Sequence, residues 1–375
     1  MIPSTIAPQD TAVGSDEPLR LALLAGSEIS DALLGEMVAL NLRSFPRWPA
    51  HDPQVPLEDY LRWKVSSPGG GGAVVGWVGP RVVTSHFVVL YPIHVRGVKR
   101  LSVDLPDLVV DPEHRGKGFS NATTAWVDAH GPPSDLQIDD TRDSRLLKAR
   151  RRRSARPFGN RVRSLHLARD PRRLLRGLAP GGAAPRLLIV AWMSAIAGAS
   201  RLRALLARPP RATGELRDVA RFDRRADVLF ERMTGDFDLI FDGGSERLNW
   251  RYRDRRAGPF IARAVEEDGE LTGYAVWRVD PPLGWLADLR VAPGRLDAAE
   301  ALVLDGAARL DVGALSCWLP HRHPYRPLLR RLGFVAKPGA VPLRYRPQRL
   351  SAADLAFLDQ PDARLHLTIG DTDTV

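Results

Sequence analysis

The sequence predicts an α/β protein built from two similar halves, and three observations lead to this prediction. The chain has 375 residues, of which 44% are hydrophobic, enough for two domains with sizeable cores. Strand-like segments rich in valine and aromatic residues alternate with segments of helical spacing. A short motif occurs twice, because residues 105–112 (LPDLVVDP) and 286–293 (LADLRVAP) both fit L-x-D-L-x-V-x-P. Each copy follows two strand-like segments and precedes a helix, which favours an internal duplication over a chance match.

The first half contains the elements of one α/β unit. Residues 28–43 are predicted to form a helix, since the apolar residues Leu33, Leu34, Met37 and Leu40 fall on one face. Short runs of β-branched and aromatic residues indicate the strands that follow. The remaining predicted elements are strands at 73–78, 82–91, 105–110 and 135–138 and a helix at 120–129.

The second half has a similar order of predicted strands and helices. Between its first two strands the Asp268-Gly269 pair favours a tight hairpin turn. The predicted elements are strands at 260–266, 272–279, 284–291, 314–319 and 341–346 and helices at 297–311 and 325–332.

Composition sets the predicted limits of the domains. The predicted division is a disordered N-terminus (1–18), a first domain (19–177), a linker (178–210), a second domain (211–350) and an acidic, peripheral tail (351–375). Within the linker, the segment from Leu187 to Ser200 is uncharged and mostly apolar. It is too short to span a bilayer, which takes ~20 residues. A buried helix is therefore favoured over a helix on a membrane surface.

Charge and cysteine content narrow the class of protein. The formal net charge is +10, which favours anionic partners such as nucleic acid, membrane phosphates or a phosphate-rich cofactor. Cys317 is the single cysteine, so an internal disulfide and a cysteine metal cluster are both excluded. The N-terminus has neither a basic start nor an apolar run, so we expect a cytoplasmic protein, with a peripheral membrane location as the alternative.

A glycine-rich loop follows the first copy of the repeat and carries the strongest chemical signal. Residues 113–120 read EHRGKGFS and open the helix at 120–129. Two glycines let the backbone turn sharply and approach a ligand closely. The first turn of the helix offers unpaired N–H groups and the positive end of the helix dipole. Since Arg115 and Lys117 add positive charge, the loop is predicted to bind a diphosphate, with a plain glycine-rich helix start as the alternative.

Other site motifs are missing from the sequence. The loop is not the P-loop G-x-x-x-x-G-K-[ST], and it lacks the third glycine of the dinucleotide-binding motif. Neither G-x-S-x-G nor H-E-x-x-H occurs. His321 and His323 have no third ligand near them in sequence, so we expect no metal site.

The run DLVVDPEHRGKGFS resembles the cofactor motif of the GNAT acyltransferase superfamily, in which a strand ending in V-x-P is followed by [QR]-x-x-G-x-[GA]. This resemblance implies acetyl-CoA or another acyl-CoA as co-substrate and a mixed α/β sheet. The residues implied to bind it are Leu108, Val109 and Val110 along the pantetheine arm and Arg115, Gly116, Lys117, Gly118, Phe119 and Ser120 around the diphosphate. Ser120 departs from the motif, which has glycine or alanine at that position.

The second half resembles the same fold over residues 260–346, with LRRLGF at 329–334 similar to its last helix–strand junction. Its loop, Gly294 to Asp297, lacks the glycine pattern. The resemblance therefore implies two tandem GNAT-like cores with mixed sheets, the second of them degenerate and without a CoA loop.

Catalytic residues are less clearly indicated. Acyl transfer to an amine needs a base and donors that hold the developing oxyanion. By the resemblance, the base is a carboxylate near the strand before the loop, where Asp104 and Asp107 lie. Asp107 has an equivalent, Asp288, in the copy without the loop, which favours a structural role for it and leaves Asp104 as the better candidate. The family's tyrosine acid falls on Leu329, so the thioester, positioning and backbone donors are left to carry the reaction.

The acceptor is expected to be a small amine or an amino-sugar-like molecule bound between the halves. The rival hypothesis is a non-catalytic protein that keeps the fold and binds an anionic ligand or surface. The run Arg150–Arg153 has no aromatic interleaving, so nucleic acid is the least favoured partner. A solvated face or a site for an acidic acceptor or membrane phosphates is favoured instead. The sequence does not indicate an oligomeric state.

Overall fold

The computed structural model describes residues 6–11, 18–46, 48–49, 52–140, 155–176, 198 and 214–372. Arg150–Arg153 and, apart from Gly198, the apolar segment from Leu187 to Ser200 lie outside the described residues. Within the described part, no helix is both long and apolar enough to cross a membrane.

The first half of the chain contributes nine strands and four α-helices to the described structure. Its strands are β1 (Ile6–Thr11), β2 (Leu19–Ala25), β3 (Gly71–Val78), β4 (Arg81–Val95), β5 (Val98–Asp104), β6 (Val109–Val110), β7 (Leu136–Asp139), β8 (Arg156–Pro157) and β9 (Val162–Ala168). Its helices are α1 (Asp31–Ser44), α2 (Leu57–Lys64), α3 (Phe119–His130) and α4 (Pro171–Arg176).

The second half contributes an equal number of each. Its strands are β10 (Glu215–Asp218), β11 (Leu239–Phe241), β12 (Phe260–Glu267), β13 (Glu270–Asp280), β14 (Leu283–Val291), β15 (Ala314–Pro320), β16 (Val335–Ala336), β17 (Arg344–Pro347) and β18 (Leu365–His366). Its helices are α5 (Arg224–Thr234), α6 (Ser245–Tyr252), α7 (Leu296–Arg309) and α8 (Arg326–Arg331).

The strands form two mixed sheets. The first has the order β1-β2-β3-β4-β5-β7-β17-β8, with β6 and β11 also paired to β4 and β18 paired to β11. The second has the order β10-β12-β13-β14-β15-β9-β16. Each sheet has a parallel pair beside its antiparallel strands, β5 with β7 and β14 with β15. We call the units built on these pairs the first core (β2–β7 with α1–α3) and the second core (β12–β15 with α7).

The two halves exchange strands, so the pairing crosses the predicted domain limits. β9 of the first half lies between β15 and β16 of the second sheet, whereas β17 of the second half lies between β7 and β8 of the first. One hydrophobic cluster accordingly includes α1 and α2 together with α5 and α6. Two smaller clusters pack α3 and α7 on the opposite faces of their own sheets.

Several local predictions are confirmed. Ser30 caps α1 by accepting the N–H of Leu33, and Leu34, Met37 and Leu40 are buried while Leu33 is partly so. The turn between β12 and β13 has positive φ at Asp268 (52°) and Gly269 (81°), as a two-residue hairpin with a primed turn requires.

Both ends of the chain differ from their predictions. Residues 6–11, expected to be disordered, pair with β2 as an edge strand. The tail, expected to be peripheral, is buried over much of 363–372, where β18 pairs with β11. Its acidic residue Asp371 lies inside the protein because Arg247 holds it at 2.9 Å.

The first copy of the repeated motif is an irregular strand. Asp104 pairs with Val89, whereas Val109 pairs with Ser85, so the register advances by one residue across 105–108. Such an extra residue is a β-bulge, which bends the strand and redirects its side chains. The predicted continuous strand at 105–110 is therefore wrong for residues 105–108.

The second copy of the motif has the same irregularity at the same place. Leu286 and Asp288 pair with Trp277 and Val276, which are consecutive residues of β13. The repeat therefore marks one bulged strand in each core.

Candidate functional site

The glycine-rich loop begins at a buried carboxylate. Asp111 is 1% exposed at its side chain and accepts hydrogen bonds from Arg43 (3.1 Å), Arg81 (3.0 Å) and the N–H of Glu113 (3.1 Å). Burial disfavours its charge, but the Glu113 N–H and the two guanidinium groups outweigh burial and lower the pKa of Asp111. The loop therefore starts from a fixed point between α1 and β4.

The loop reaches α3 through two left-handed glycines. Gly116 and Gly118 have φ of 83° and 85°, and a Cβ at either position would point into open space. Gly118 is the N-cap of α3, and no described side chain caps that helix. Its first-turn N–H groups are thus available to an anion at an exposed loop. This is the geometry that the sequence predicts for a diphosphate site.

The remaining residues of the motif surround the two glycines or anchor the loop to its neighbours. Arg115 donates to the carbonyl of Ser44 at the end of α1 (3.1 Å), and Lys117 is exposed beside the glycines. Phe119 is buried and stacks on His114 with ring centroids 5.6 Å apart. Ser120 is partly buried in the first turn, where its carbonyl accepts the hydroxyl of Thr124.

A cleft opens between the parallel strands below α3. β5 and β7 pair at Ser102 with Leu136 and at Val103 with Gln137, and no further pair follows along the described strands. A pocket lies where they part, with α3 on one side. It is lined by His86, Leu105, Thr124, Asp128, Gln137, Asp139, Ala155 and Arg346.

The backbone of β6 presents alternate groups to this cleft. Val109 pairs with Ser85, and the N–H of Asp111 donates to Val83, so these residues face β4. The direction of backbone hydrogen bonding alternates along a strand. The backbone N–H and C=O groups of Leu108 and Val110 therefore face away from β4. Ser44 donates to the carbonyl of Val110 (3.3 Å), and no described side chain bonds the Leu108 carbonyl or the Val110 N–H.

The two candidate bases have different surroundings. Asp107 accepts from Lys64 Nζ (2.6 Å) and Trp48 Nε1 (3.0 Å). Burial disfavours its charge, but Lys64 outweighs burial and lowers the pKa of Asp107. Asp104 is half-buried at the end of β5 and accepts the N–H of Leu105 (2.8 Å). Asp107 is thus fixed as the partner of a buried ammonium, whereas Asp104 lies where the strands part.

One residue of the pocket could not be recognised from the sequence as a site residue. His86 is buried in β4, and its Nε2–H donates to the Leu105 carbonyl at the bulge (3.0 Å). A single histidine in a valine-rich strand resembles an ordinary core residue. The position of His86 at the cleft becomes clear only because β7, which is distant in sequence, lines the same pocket.

In the second core, the equivalent strand edge is occupied by side chains of the chain itself. The Tyr325 hydroxyl accepts the N–H of Val291 (3.2 Å), the counterpart of Val110. His366 Nε2–H donates to the carbonyl of Leu289 (3.1 Å), the counterpart of Leu108. His323 packs against both rings, at 4.6 Å from Tyr325 and 5.1 Å from His366. We call Tyr325, His323 and His366 the aromatic plug.

The start of α7 also differs from the start of α3. Asp297 lies in the first turn of α7 and is 2.9 Å from Arg295, which also contacts Glu267. The hydrogen bond from Arg295 lowers the pKa of Asp297, and the N–H of Ala298 contributes to the shift. Neither helix has a side-chain cap, but α7 has an acidic residue in its first turn and α3 has none.

The duplicated aspartate is structural in the second core as well. Asp288 is fully buried and accepts from Arg290 (3.2 Å) and from the hydroxyl of Tyr274 (3.2 Å). Both cores therefore use this position to neutralise a buried cation. Neither His321 nor His323 belongs to a metal-binding group among the described residues.

No protein family matches the sequence, and no curated protein matches it in sequence. Several solved structures share its architecture. A protein of unknown function from Enterococcus faecalis V583, described as a probable N-acyltransferase, matches with a TM-score of 0.60 and 11% identity, over 88% of this chain and 73% of that one. A GCN5-related N-acetyltransferase from Kribbella flavida matches with a TM-score of 0.56 and 16% identity, over 89% and 72% of the two chains.

A tandem GNAT protein from the clavulanic acid biosynthesis pathway matches with a TM-score of 0.50 and 14% identity, over 88% of this chain and 98% of that one. Identities this low show a shared fold alone. The chain therefore has the GNAT fold in tandem, as the glycine loop and the repeated strand predict.

Proposed function

We propose that the protein is an acyl-CoA-dependent N-acyltransferase whose first core binds the acyl-CoA. The observation that carries this proposal is the uncapped N-terminus of α3, reached through Gly116 and Gly118 beside a parted pair of strands. Supporting it, the similar solved structures include a probable N-acyltransferase, a GCN5-related N-acetyltransferase and a tandem GNAT protein described as being without AcCoA. Acetyl is the acyl group we propose.

The described residues suit each part of such a ligand. The N–H groups of the first turn of α3 and the charge of Lys117 suit a diphosphate. The Leu108 carbonyl and the Val110 N–H suit the amide groups of a pantetheine arm, which would pair with the strand edge as an added strand does. These contacts would direct the thioester into the cleft at Leu105.

The reaction would join the acceptor nitrogen to the acyl carbon and break the carbon–sulfur bond. The thiol of CoA would leave, and a proton would pass from the amine to a base. Asp104 is our candidate for that base because it lies where the strands part. Asp107 is assigned a structural role, since its ion pair with Lys64 fixes its charge.

We propose that the second core does not bind CoA. The aromatic plug uses the two backbone groups that a pantetheine arm would need, and Asp297 places a negative charge in the first turn of α7, which would repel a diphosphate. A pantetheine arm there would have to displace the plug.

The rival function is a non-catalytic binding protein. It is favoured by Leu329 at the position of the family's tyrosine, while the nearby Tyr325 is buried and bonded to Val291. Release of free thiol from acetyl-CoA in the presence of a panel of amines separates the two. Binding without thiol release for any amine would favour the rival.

For Arg150–Arg153 we propose a role with an anionic acceptor or surface. A dense block of charge binds polyanions and acidic vesicles weakly, with a steep loss on adding salt. Replacing the four arginines by glutamine is expected to lower vesicle binding and acceptor-dependent turnover and to leave CoA binding unchanged. Tight, salt-resistant binding to one nucleic acid sequence would contradict this role.

The first test of the proposed function is stabilisation by ligand. CoA or acetyl-CoA at ~100 times its dissociation constant is expected to add roughly 2.7 kcal/mol to the free energy of unfolding. Thermal unfolding with and without millimolar CoA measures this. An unchanged melting temperature would rule out the cofactor assignment.

A further inference from the structure

A buried arginine of the second core lies between two aromatic residues. Arg278 of β13 is 3% exposed and pairs across the sheet with Phe260 on one side and Trp285 on the other. Residues directly opposite each other on neighbouring strands share a face. The guanidinium lies 5.5 Å from the ring of Phe260, and Trp285 is only partly buried, so this face reaches solvent at Trp285.

The charge of Arg278 is not neutralised by the described residues. No hydrogen bond or ion pair to them is found for its guanidinium, and its Nη1 is buried without a partner. Burial, followed by the like charge of Arg251, lowers the pKa of Arg278 to about 10. Asp280 acts on it only through space, from an exposed position at the end of the strand.

Other buried arginines of this core have carboxylate partners. Arg263 is held by Asp305 at 2.7 Å, and Arg290 by Asp288 at 3.2 Å. A buried cation without an anion destabilises the fold, since desolvation is not offset by attraction. Such a group is a candidate for binding a ligand, because functional sites are where this instability is retained.

Arg278 lies near the first core. Tyr60 of α2 is close enough to Arg278 to influence its pKa. Lys64 lies 5.8 Å from the ring of Tyr60 and pairs with Asp107 on the bulge. Arg278 is thus separated by Tyr60 and Lys64 from the bulged strand proposed to hold the pantetheine arm.

We propose that Arg278 binds the carboxylate of the acyl acceptor, which makes the acceptor an amino-acid-like compound carrying both an amine and a carboxylate. This inference rests on the proposed N-acyltransferase function. One guanidinium matches a planar carboxylate through two parallel hydrogen bonds and balances its single charge. A phosphate dianion would need a second cation, and the nearby Arg251 already donates to the carbonyls of Gly370 and Thr372. Phe260 and Trp285, which flank Arg278 on the sheet, suit an apolar part of the ligand.

The test uses benzoate as the probe and benzamide as its uncharged counterpart, with the full-length protein. Arg278→Met removes the charge, and Arg278→Lys keeps the charge without the paired donors. The matched control is Arg253→Met, because Arg253 contacts the same region but already donates to the carbonyls of Ala220 and Phe260. We expect benzoate, and not benzamide, to raise the melting temperature of the wild type and of Arg253→Met.

Arg278→Met is expected to weaken benzoate binding at least tenfold, and Arg278→Lys several-fold. Without ligand, Arg278→Met should melt at or above the wild-type temperature, since it removes an unpaired buried charge. Equal benzoate binding by Arg278→Met and wild type would overturn the proposal. Stronger stabilisation by inorganic phosphate than by benzoate would overturn its choice of carboxylate.

The CoA-dependent shift in melting temperature, measured on the same variants, distinguishes failure of the carboxylate site from failure of the N-acyltransferase function. A CoA shift in all variants without a benzoate shift would refute the carboxylate site alone. A benzoate shift that depends on Arg278, with no CoA shift, would refute the N-acyltransferase and leave a carboxylate-binding protein.

Discussion

The two cores contain the same bulged strand, but different groups occupy its free edge. In the first core the Leu108 carbonyl and the Val110 N–H meet no described side chain, and α3 starts at Gly118 without a cap. In the second core, the aromatic plug bonds the equivalent groups, and Asp297 lies at the start of α7. The bulge with its ion-paired aspartate is therefore a property of the fold, while the open edge and a helix start with two glycines and no first-turn carboxylate are the parts that suit a ligand.

The two cores differ in how the backbone groups of the bulged strand are satisfied. An unpaired backbone group at a buried strand edge costs free energy unless a ligand or a side chain satisfies it. The second core satisfies its edge from within, which stabilises the fold at all times. In the first core no described side chain satisfies the edge, so under the proposed function this site gains stability only when acyl-CoA binds.

The largest expected effect comes from Gly118→Val. Gly118 has φ of 85°, and a branched side chain there would strain the loop and block the approach of a diphosphate. We expect CoA affinity to fall at least 1,000-fold, which corresponds to about 4 kcal/mol, by calorimetry. Gly294→Val is the matched control, since Gly294 has φ of 80° and similarly open surroundings. Equal loss of CoA binding in both variants would break the proposed contrast between the cores.

The next largest effect concerns the duplicated aspartate. Asp107→Asn removes the carboxylate that pairs with the buried ammonium of Lys64, so the free energy of unfolding should fall by about 3 kcal/mol in denaturant titrations. Asp104→Asn should cost much less stability and lower acyl transfer instead. The reverse pattern, with turnover lost and stability kept in Asp107→Asn, would make Asp107 the base.

The aromatic plug should make stability depend on pH. Burial, then the neighbouring His366 and Arg326, lowers the pKa of His323 well below its ordinary value. The unfolded chain takes up this proton near pH 6.5 and the folded protein does not, so stability is lost as pH falls below about 6.5. Between pH 7 and pH 5 the loss should reach roughly 2 kcal/mol for this histidine.

Denaturant titrations of His323→Asn at several pH values check the effect of pH. Asparagine can still accept the N–H of Tyr325, which His323 Nδ1 accepts at 3.1 Å. The variant should be less acid-sensitive than the wild type by the same amount. An unchanged pH profile would show that His323 is not buried in the neutral form.

The smallest effect is expected for Tyr325→Phe. The change removes the acceptor of the Val291 N–H while keeping the ring, so stability should fall by about 1 kcal/mol. CoA binding at the first core should not change, because Gly118 and α3 are untouched. Appearance of a second CoA site in this variant would mean that the hydroxyl alone keeps the second core closed.

Local sequence signals predicted part of the elements and the loop. The strands β3, β4, β7 and β12–β15, the hairpin at Asp268-Gly269 and the glycine loop before α3 depend on residue type and spacing within a few positions, whereas β2 and β5 were not predicted. The exchange of β9 and β17 depends instead on pairing between distant segments, which periodicity does not report. The burial of the tail was missed because its composition is polar, and its carboxylate Asp371 becomes compatible with the interior only beside Arg247.

The site was predictable only in part, for a similar reason. Gly116 and Gly118 are recognisable because a left-handed backbone favours glycine. His86 and Arg278 are single polar residues in apolar strands, and their importance depends on what the fold brings near them. A second core without a CoA loop was predicted from missing glycines alone, whereas the occupation of its strand edge by Tyr325 and His366 is seen only in the structure.

Isothermal titration calorimetry on the full-length chain measures how many CoA molecules bind, and so decides whether the first core alone binds CoA. We expect one CoA per chain, lost in Gly118→Val and kept in Gly294→Val. Two equivalent sites per chain, or a single site that survives Gly118→Val, would contradict it.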